Sequence, residues 1–278
     1  MRILVTNDDG IDSLGLHVLA RAICEIEGGH EVVVVAPDQE YSGAGAAVGA
    51  LHLIQPEVRR AHISDCTAEV WKVSGPPALC VFFARLGAFG EPFDLVVSGI
   101  NPGANVGRAV YHSGTVGAAL TGRNGGISGI AISQAVTGFG VEGQGWDESI
   151  VSQHWESAAT VARQVAQSLV DDMPAEPVVV NINVPDLPLD QFGTWHYAEV
   201  GNRPPRSMSK ASLTPIPGHE DAYSVEMGWG EPEVLAPETD GGIIERNDVA
   251  ITYLSRLVHD DRDDLSQVAA ALDTLFAR

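Results

Sequence analysis

The sequence predicts an α/β fold built on a doubly wound, mostly parallel sheet, and three observations point there. Short runs of β-branched and apolar residues recur along the chain, at 2–6, 31–36, 93–98, 129–133 and 177–184. Several are separated by segments whose apolar residues repeat at helical spacing. The first three runs each break into a loop rich in Gly, Asn, Asp or Pro. Strands buried on both faces read as unbroken apolar runs, and alternation with helices is the pattern of a parallel sheet covered on both sides.

In chain order, Arg2-Ile3-Leu4-Val5-Thr6 is a buried strand that runs into Asn7-Asp8-Asp9-Gly10. Leu14, Val18, Leu19, Ala22 and Ile23 then recur on one helical face, which packs on the sheet. The run 31–36 is a second parallel strand ending at Pro37-Asp38. A third, 93–98, gives way to 99–107, where Gly, Pro and Asn are too frequent for helix or strand, so a long shaped loop is expected. Next come a short helix at 116–123, a core strand at 129–133, a helix at 155–170 and a central strand at 177–184.

From 186 to 237 prolines, glycines and isolated aromatics dominate, with 195–197 and 223–229 as expected antiparallel strands. Such a segment cannot build a deep core alone. It is expected to form an arm or hairpin layer, packed on the main domain or on another subunit. Strand pattern returns at 249–254, and 265–276 is an amphipathic helix. With no internal repeat or low-complexity linker, residues 1–278 are expected to form one domain with the 186–237 arm.

Composition excludes several classes. A net charge of −21, with Lys72 and Lys210 as the only lysines among 16 basic residues, would repel nucleic-acid backbones, so no duplex partner is expected. No apolar run is long enough to span a membrane. Met1-Arg2 leads at once into a strand without signal-peptide features, which predicts a cytoplasmic location. Cys24, Cys66 and Cys80 are widely spaced, suggesting buried thiols rather than a disulfide framework or zinc site.

The chemistry concentrates in the loops. Adjacent carboxylates such as Asp8 and Asp9 repel, raising one pKa unless a cation compensates, and hard oxygen donors suit Mg²⁺, Mn²⁺ or Ca²⁺. The alternative is turn chemistry, with Asp8 capping the helix near Leu14 and Asp9-Gly10 turning the chain. The second strand ends in Asp38-Gln39-Glu40-Tyr41-Ser42-Gly43, and the third leads to Asn101 and Asn105. Loops beyond the carboxyl ends of such strands converge on one crevice. There, two carboxylates would supply charge, while the Ser42 hydroxyl and the Asn101 amide oxygen complete a divalent shell. Ser42 could instead be a nucleophile or a cap, and Asn101 could brace its own loop. Ser113-Gly114-Thr115 opens a helix whose N-terminus attracts an anion such as phosphate; an ordinary N-cap is the other reading. Neither a Walker loop nor a dinucleotide fingerprint is present.

Taken in order, Asn7-Asp8-Asp9-Gly10, Ala36-Pro37-Asp38 with Ser42-Gly43, Ser98-Gly99-Ile100-Asn101 with Gly103 and Asn105, and Ser113-Gly114-Thr115-Val116 form a specific set. With Asn181-Ile182-Asn183-Val184-Pro185, Thr239-Asp240 and Ile251-Thr252, the chain resembles the survival protein E (SurE) family of metal-dependent nucleotide phosphatases. The resemblance implies a Rossmann-like core, C-terminal β-hairpin arms that assemble a homodimer or homotetramer, and hydrolysis of nucleoside 5′- or 3′-monophosphates. It implies one divalent ion per subunit, Mn²⁺ or Mg²⁺, at Asp8, Asp9, Ser42 and Asn101. Asn105, Ser113, Gly114 and Thr115 would hold the phosphate. Two departures from the family pattern, Glu40-Tyr41 before the serine and Gly75-Pro76-Pro77-Ala78-Leu79-Cys80 without the usual Thr and Asp, bear on substrate preference.

The expected mechanism is attack by water activated at the ion, with Asp8 or Asp9 as base. A competing one makes Asp8 a nucleophile that forms an aspartyl phosphate. His112 is a further candidate, as acid for the leaving group. From other classes, a catalytically silent metal- or nucleotide-binding oligomer stays open, and a glycosyltransferase lacks any acceptor-site signal.

Overall fold

The computed structural model describes residues 1–51, 53, 55–136, 150–203, 208–231, 233–255, 257, 264 and 266–276. Strands β1 (Arg2–Thr6), β2 (Glu31–Pro37), β3 (Val58–Arg60), β4 (Glu69–Val73), β5 (Leu95–Pro102), β6 (Ser128–Gln134) and β7 (Val179–Val184) lie in one sheet with β8 (Trp195–Tyr197) and β11 (Val249–Leu254). The nine strands are ordered β3-β4-β2-β1-β5-β6-β7-β11-β8. The run from β4 to β7 is parallel throughout. Strands β9 (Met208–Pro215) and β10 (Tyr223–Trp229) form a separate antiparallel hairpin.

Helices α1 (Leu14–Cys24) and α4 (Trp155–Asp171) cover one face, packing with Ile3, Val5 and Val34. Helix α2 (Pro77–Arg85) covers the other with Leu4, Val33 and Val35, and Ala118 of α3 (Gly114–Asn124) joins that cluster. Alternate residues of each strand feed opposite layers, because successive Cβ atoms point to opposite sides of a pleated strand. Leu16, Leu19 and Ile23 of α1 are fully buried, each contributing about 1.5–3 kcal/mol of transfer free energy. The buried face of α4 is built on Ala158, Ala159, Ala162 and Ala166, and small side chains there let the helix lie close to its neighbours. Trp155 reaches Gly15 of α1, where a Cβ would sit 2.3 Å from the Ile100 carbonyl oxygen.

Several details differ from the sequence reading. β3, β4 and α2 were not among the expected elements: β4 mixes Glu69 and Lys72 with its core residues, and α2 begins within a proline pair. Pro77 takes the first helical turn, where its missing N–H costs nothing. The loop predicted at 99–107 is partly strand: β5 continues to Pro102 across a register shift between Ser98 and Asn101, and Gly107–Tyr111 is a 3₁₀ turn. β8 was expected to pair antiparallel, yet its ladder with β11 is parallel. It does run against the central strands, since β11 is antiparallel to β7. Helix α6 (Ser266–Phe276) matches the predicted closing helix, while Leu265 lies outside the described residues. Cys80 is buried as expected, but Cys24 and Cys66 are half-buried. Among the described residues no helix is long and apolar enough to cross a membrane.

Candidate active site

Strand β1 sits between β2 and β5, so the three predicted loops leave the carboxyl ends of neighbouring parallel strands. In the first loop, Asn7 Nδ2 donates to the Gly10 carbonyl at 2.9 Å and to Ser13 Oγ at 2.8 Å. The Ser13 side chain in turn caps α1 by accepting from the Leu16 N–H. Ser13, not Asp8, is therefore the cap, which leaves the Asp8 carboxylate for other partners.

Asp8 turns inward and is 2% exposed. Its Oδ1 accepts a short hydrogen bond from the Thr115 hydroxyl. Burial pushes its pKa up, and the Thr115 hydroxyl with the backbone N–H groups of Thr115 and Gly114 pulls the other way. The carboxylate is thus seated on the N-terminus of α3, where the orphan amides and helix dipole favour negative charge. Gly114 is required for that seat: a Cβ there would lie 2.7 Å from both Cβ and Oδ2 of Asp8. Ser113 is the N-cap, accepting from the Val116 N–H at 3.0 Å.

Asp9 is the unbalanced group. Its Oδ2 is buried with no hydrogen-bond partner. Burial, then the charges of Asp8 and Glu40, hold its pKa well above the usual carboxylate range. Thr6 Oγ1 at the end of β1, Asn7 Oδ1 just beyond it and Ser98 Oγ on β5 beside Thr6 are also buried and unpartnered. A cluster of unsatisfied oxygens calls for a physical reason, and a cation that accepts only oxygen ligands is one.

The second loop is tied to the first by the Tyr41 N–H, which donates to the Asp8 carbonyl at 2.7 Å. Ser42 is exposed, and its hydroxyl donates to Glu40 Oε1 at 2.8 Å rather than to either aspartate. The Gly45 N–H donates to the His112 carbonyl at 3.0 Å, joining this loop to the approach of α3. His112 is exposed. In the third loop, Asn101 is half-buried and its Nδ2 donates to the Gly103 carbonyl at 2.6 Å. Asp8, Gly114 and Thr115 are thus in direct contact with one another, with Asp9 and Glu40 acting electrostatically on the same spot. Ser42, Asn101 and Asn105 stand on adjoining loops, with no direct hydrogen bond to Asp8 or Asp9.

Asn105 is held from behind by residues outside the predicted site set. Its N–H donates to Asn183 Oδ1 at 2.7 Å, and its carbonyl accepts from Asn181 Nδ2 at 3.1 Å and Asn183 Nδ2 at 3.2 Å. Its own Nδ2 donates to Ser133 Oγ at 2.9 Å. Asp240, in the short helix α5 (Asp240–Ile244), accepts the N–H groups of Gly107, Gly201 and Gly241 at 2.9, 3.0 and 2.8 Å. The signal for this scaffold was present in the sequence: two asparagines inside an otherwise apolar central strand must find partners.

Among the described residues, no three His, Cys, Asp or Glu side chains group as a metal site. The oxygen set here is of another kind, two carboxylates with neutral oxygens around them. A cavity of about 980 Å³ lies elsewhere, between α4, β8 and β11. Val161, Val165, Phe192 and Trp195 line it with Thr160, Gln164 and Ser168, and no Lys or Arg is among its lining residues.

The model of the family described as "Survival protein SurE" matches residues 3–207. A protein named 5'-nucleotidase SurE from Stenotrophomonas maltophilia (strain R551-3) is 40% identical over 257 residues, covering 91% of this chain and 88% of the relative. Another of that name from Legionella pneumophila (strain Philadelphia 1) is 37% identical over 258 residues, covering 91% and 90%. The crystal structure of the SurE protein from Aquifex aeolicus superimposes with a TM-score of 0.71 at 26% identity, covering 99% of each chain. The chain belongs to the SurE family.

Proposed function

We propose that this protein is a nucleotidase, a phosphoric monoester hydrolase that releases phosphate from nucleoside 5′-monophosphates, with 3′-monophosphates as a second substrate class and a divalent ion as cofactor. The observation that carries the reading is Asp9: a buried carboxylate oxygen without a partner, beside Asp8 and Glu40, at the mouth of the strand-end crevice. The relatives named 5'-nucleotidase SurE support the reaction class.

The residues fit an ion of the Mn²⁺ or Mg²⁺ type, because all candidate donors are hard oxygens and Asp9 lacks the positive charge its burial demands. Asp8, Asp9, Ser42 and Asn101 would hold it. When bound, such an ion supplies positive charge to the phosphoryl oxygens and acidifies water. Thr115 fixes the Asp8 carboxylate through its hydroxyl and prevents it from swinging into the substrate space. Asp9 Oδ2, without a hydrogen-bond partner, would face the ion, and Asp8 or Asp9 would accept the proton from the attacking water. Asn105, rigidified by Asn181 and Asn183, and the Ser113-Gly114-Thr115 turn, whose Thr115 hydroxyl is taken by Asp8, would border the transferring phosphoryl group. Assembly as a homodimer or homotetramer through the 186–237 arm belongs to the same reading. It is supported by exposed Leu213, Tyr223, Val225 and Met227 on the β9–β10 hairpin.

Phosphate release from a panel of nucleoside 5′- and 3′-monophosphates, with Mn²⁺, Mg²⁺ or chelator, tests this directly. Metal-dependent release that disappears in Asp9→Asn is expected. A protein that binds metal or nucleotide yet releases no phosphate from any substrate would be the silent binder instead.

A further inference from the structure

Outside the crevice, one pair of reactive side chains is brought together by the fold alone. Cys24 is the last residue of α1, and Cys66 lies in the turn that precedes β4, 42 positions later. Their sulfurs are 3.6 Å apart. The pair is half-buried, and Cys24 lines an open pocket of about 320 Å³ together with His30, Glu31, Thr67 and Glu69. Cys66 is half-buried behind Cys24, so small oxidants reach the pair, whereas Cys80, a residue of α2, is fully buried and out of reach.

We propose that Cys24 and Cys66 form a peroxide-responsive thiol pair, with Cys66 as the attacking thiolate and Cys24 as the resolving thiol. The two thiols are not equivalent. The two thiols share one hydrogen bond, which together with the positive charge of Arg21 and His62 pulls the Cys66 thiol down and pushes that of Cys24 up. That asymmetry, one thiol favoured as thiolate and its neighbour favoured as thiol, is the division a two-step oxidation needs. In the first step the Cys66 thiolate attacks one oxygen of a hydroperoxide. The O–O bond breaks, hydroxide leaves, and Cys66 becomes a sulfenic acid. In the second step Cys24 sulfur attacks the sulfenic sulfur. Its proton and the departing hydroxyl leave as water, and the S–S bond forms. Two thiols and one hydrogen peroxide thus give one disulfide and two waters.

Closing the gap from 3.6 Å to the bonded distance of about 2.05 Å is a small movement, and Cys66 sits in an irregular turn next to Asp65, whose φ is 57°. The bond would tie the end of α1 to the segment entering β4. It lies at the amino-terminal ends of β2 and β4, whose first residues Glu31 and Glu69 line the same pocket, so it stands at the opposite end of the strands from Asp8 and Asp9.

The test is titration of the full-length protein with hydrogen peroxide, followed by thiol counting in denaturant and non-reducing peptide mapping. The expected result is loss of two of the three thiols, a linked Cys24–Cys66 peptide pair two hydrogens lighter, full reversal by dithiothreitol, and a rise in Tm of about 5 °C. Cys24→Ser is expected to leave a sulfenic acid on Cys66 that dimedone captures, and Cys66→Ser to leave Cys24 unreacted. Oxidation of Cys66 to sulfinic acid without the linked pair, equal reactivity of the two thiols, or a bridge only between chains would overturn the proposal. None of these readouts uses phosphate release, so they stand apart from the nucleotidase reading.

Discussion

The strand-end crevice and the β9–β10 hairpin invert the usual distribution of side chains in opposite ways. In the crevice and its supports, Asn7, Asp8, Ser98, Asn105, Ser133, Asn181, Asn183 and Asp240 are buried although polar. On the hairpin, Leu213, Val225 and Met227 are 66, 59 and 64% exposed although apolar. Burial of polar groups costs stability unless every donor and acceptor is paired, whereas exposed apolar residues mark a surface awaiting a partner. The crevice meets its cost nearly everywhere: Asn105 is bonded at its N–H, carbonyl and side chain, and Asp240 accepts three backbone N–H groups. The exceptions are Thr6 Oγ1, Asn7 Oδ1, Ser98 Oγ, Asn181 Oδ1 and Asp9 Oδ2, and of these only Asp9 belongs to a carboxylate, which is where an ion and a substrate belong.

That contrast can be broken at either end. The largest effect is expected from Asp9→Asn, which removes the charge an ion would need: kcat/KM should fall by about a hundredfold or more, while the Tm of the metal-free protein rises as a buried like-charge repulsion disappears. A fall in Tm alongside the lost activity would show that Asp9 is paired after all. Gly114→Ala comes next. Its Cβ would meet Asp8 at 2.7 Å, so about 1–3 kcal/mol of overpacking strain and at least a tenfold loss of kcat are expected, measured by urea unfolding and steady-state kinetics. Asn183→Ala strands the Asn105 N–H and leaves its carbonyl to Asn181 alone, which should cost about 2 kcal/mol, with KM rising more than kcat falls if Asn105 serves substrate binding.

On the hairpin the order reverses. Val225→Ser with Met227→Ser should leave the urea midpoint of the core within about 0.5 kcal/mol per site, yet shift sedimentation toward smaller species. The smallest effect belongs to a surface carboxylate. The Thr194 N–H, then His196 and Arg246, hold Asp248 below the usual carboxylate range. A depressed folded-state pKa contributes stability above the unfolded value, lost as pH falls through the folded one. Asp248→Asn should therefore lower Tm slightly at pH 6, and the difference should shrink as pH falls below the ordinary Asp value of about 4.

The strands that carry the site were legible because β1, β2, β5, β6 and β7 are apolar on both faces, a pattern that survives without any partner in view. Elements β3, β4 and α2 were not, since β4 mixes Glu69 and Lys72 with its core residues and α2 begins within a proline pair. Within the site, the adjacency of Asp8 and Asp9 announced an electrostatic conflict, and Ser113-Gly114-Thr115 announced a helix N-terminus. That these two signals meet, with Thr115 and the α3 amides seating Asp8, could not be read from spacing, because the residues stand 107 positions apart.

By itself the sequence determined the alternation of strands and helices, the family, and the chemical nature of the donors, since these depend on local periodicity and on residue type. Only the tertiary structure decided how the donors divide their work: Ser13 takes the α1 cap and leaves Asp8 for α3, Asn181 and Asn183 brace Asn105, and Asp9 is left with an unmatched oxygen. It also brought Cys24 and Cys66, which spacing gave no reason to pair, to 3.6 Å. The physical reason is the same in each case. A hydrogen bond, a charge and a thiol act over a few ångströms, and only the crossing of the chain through the sheet makes distant residues neighbours at that range.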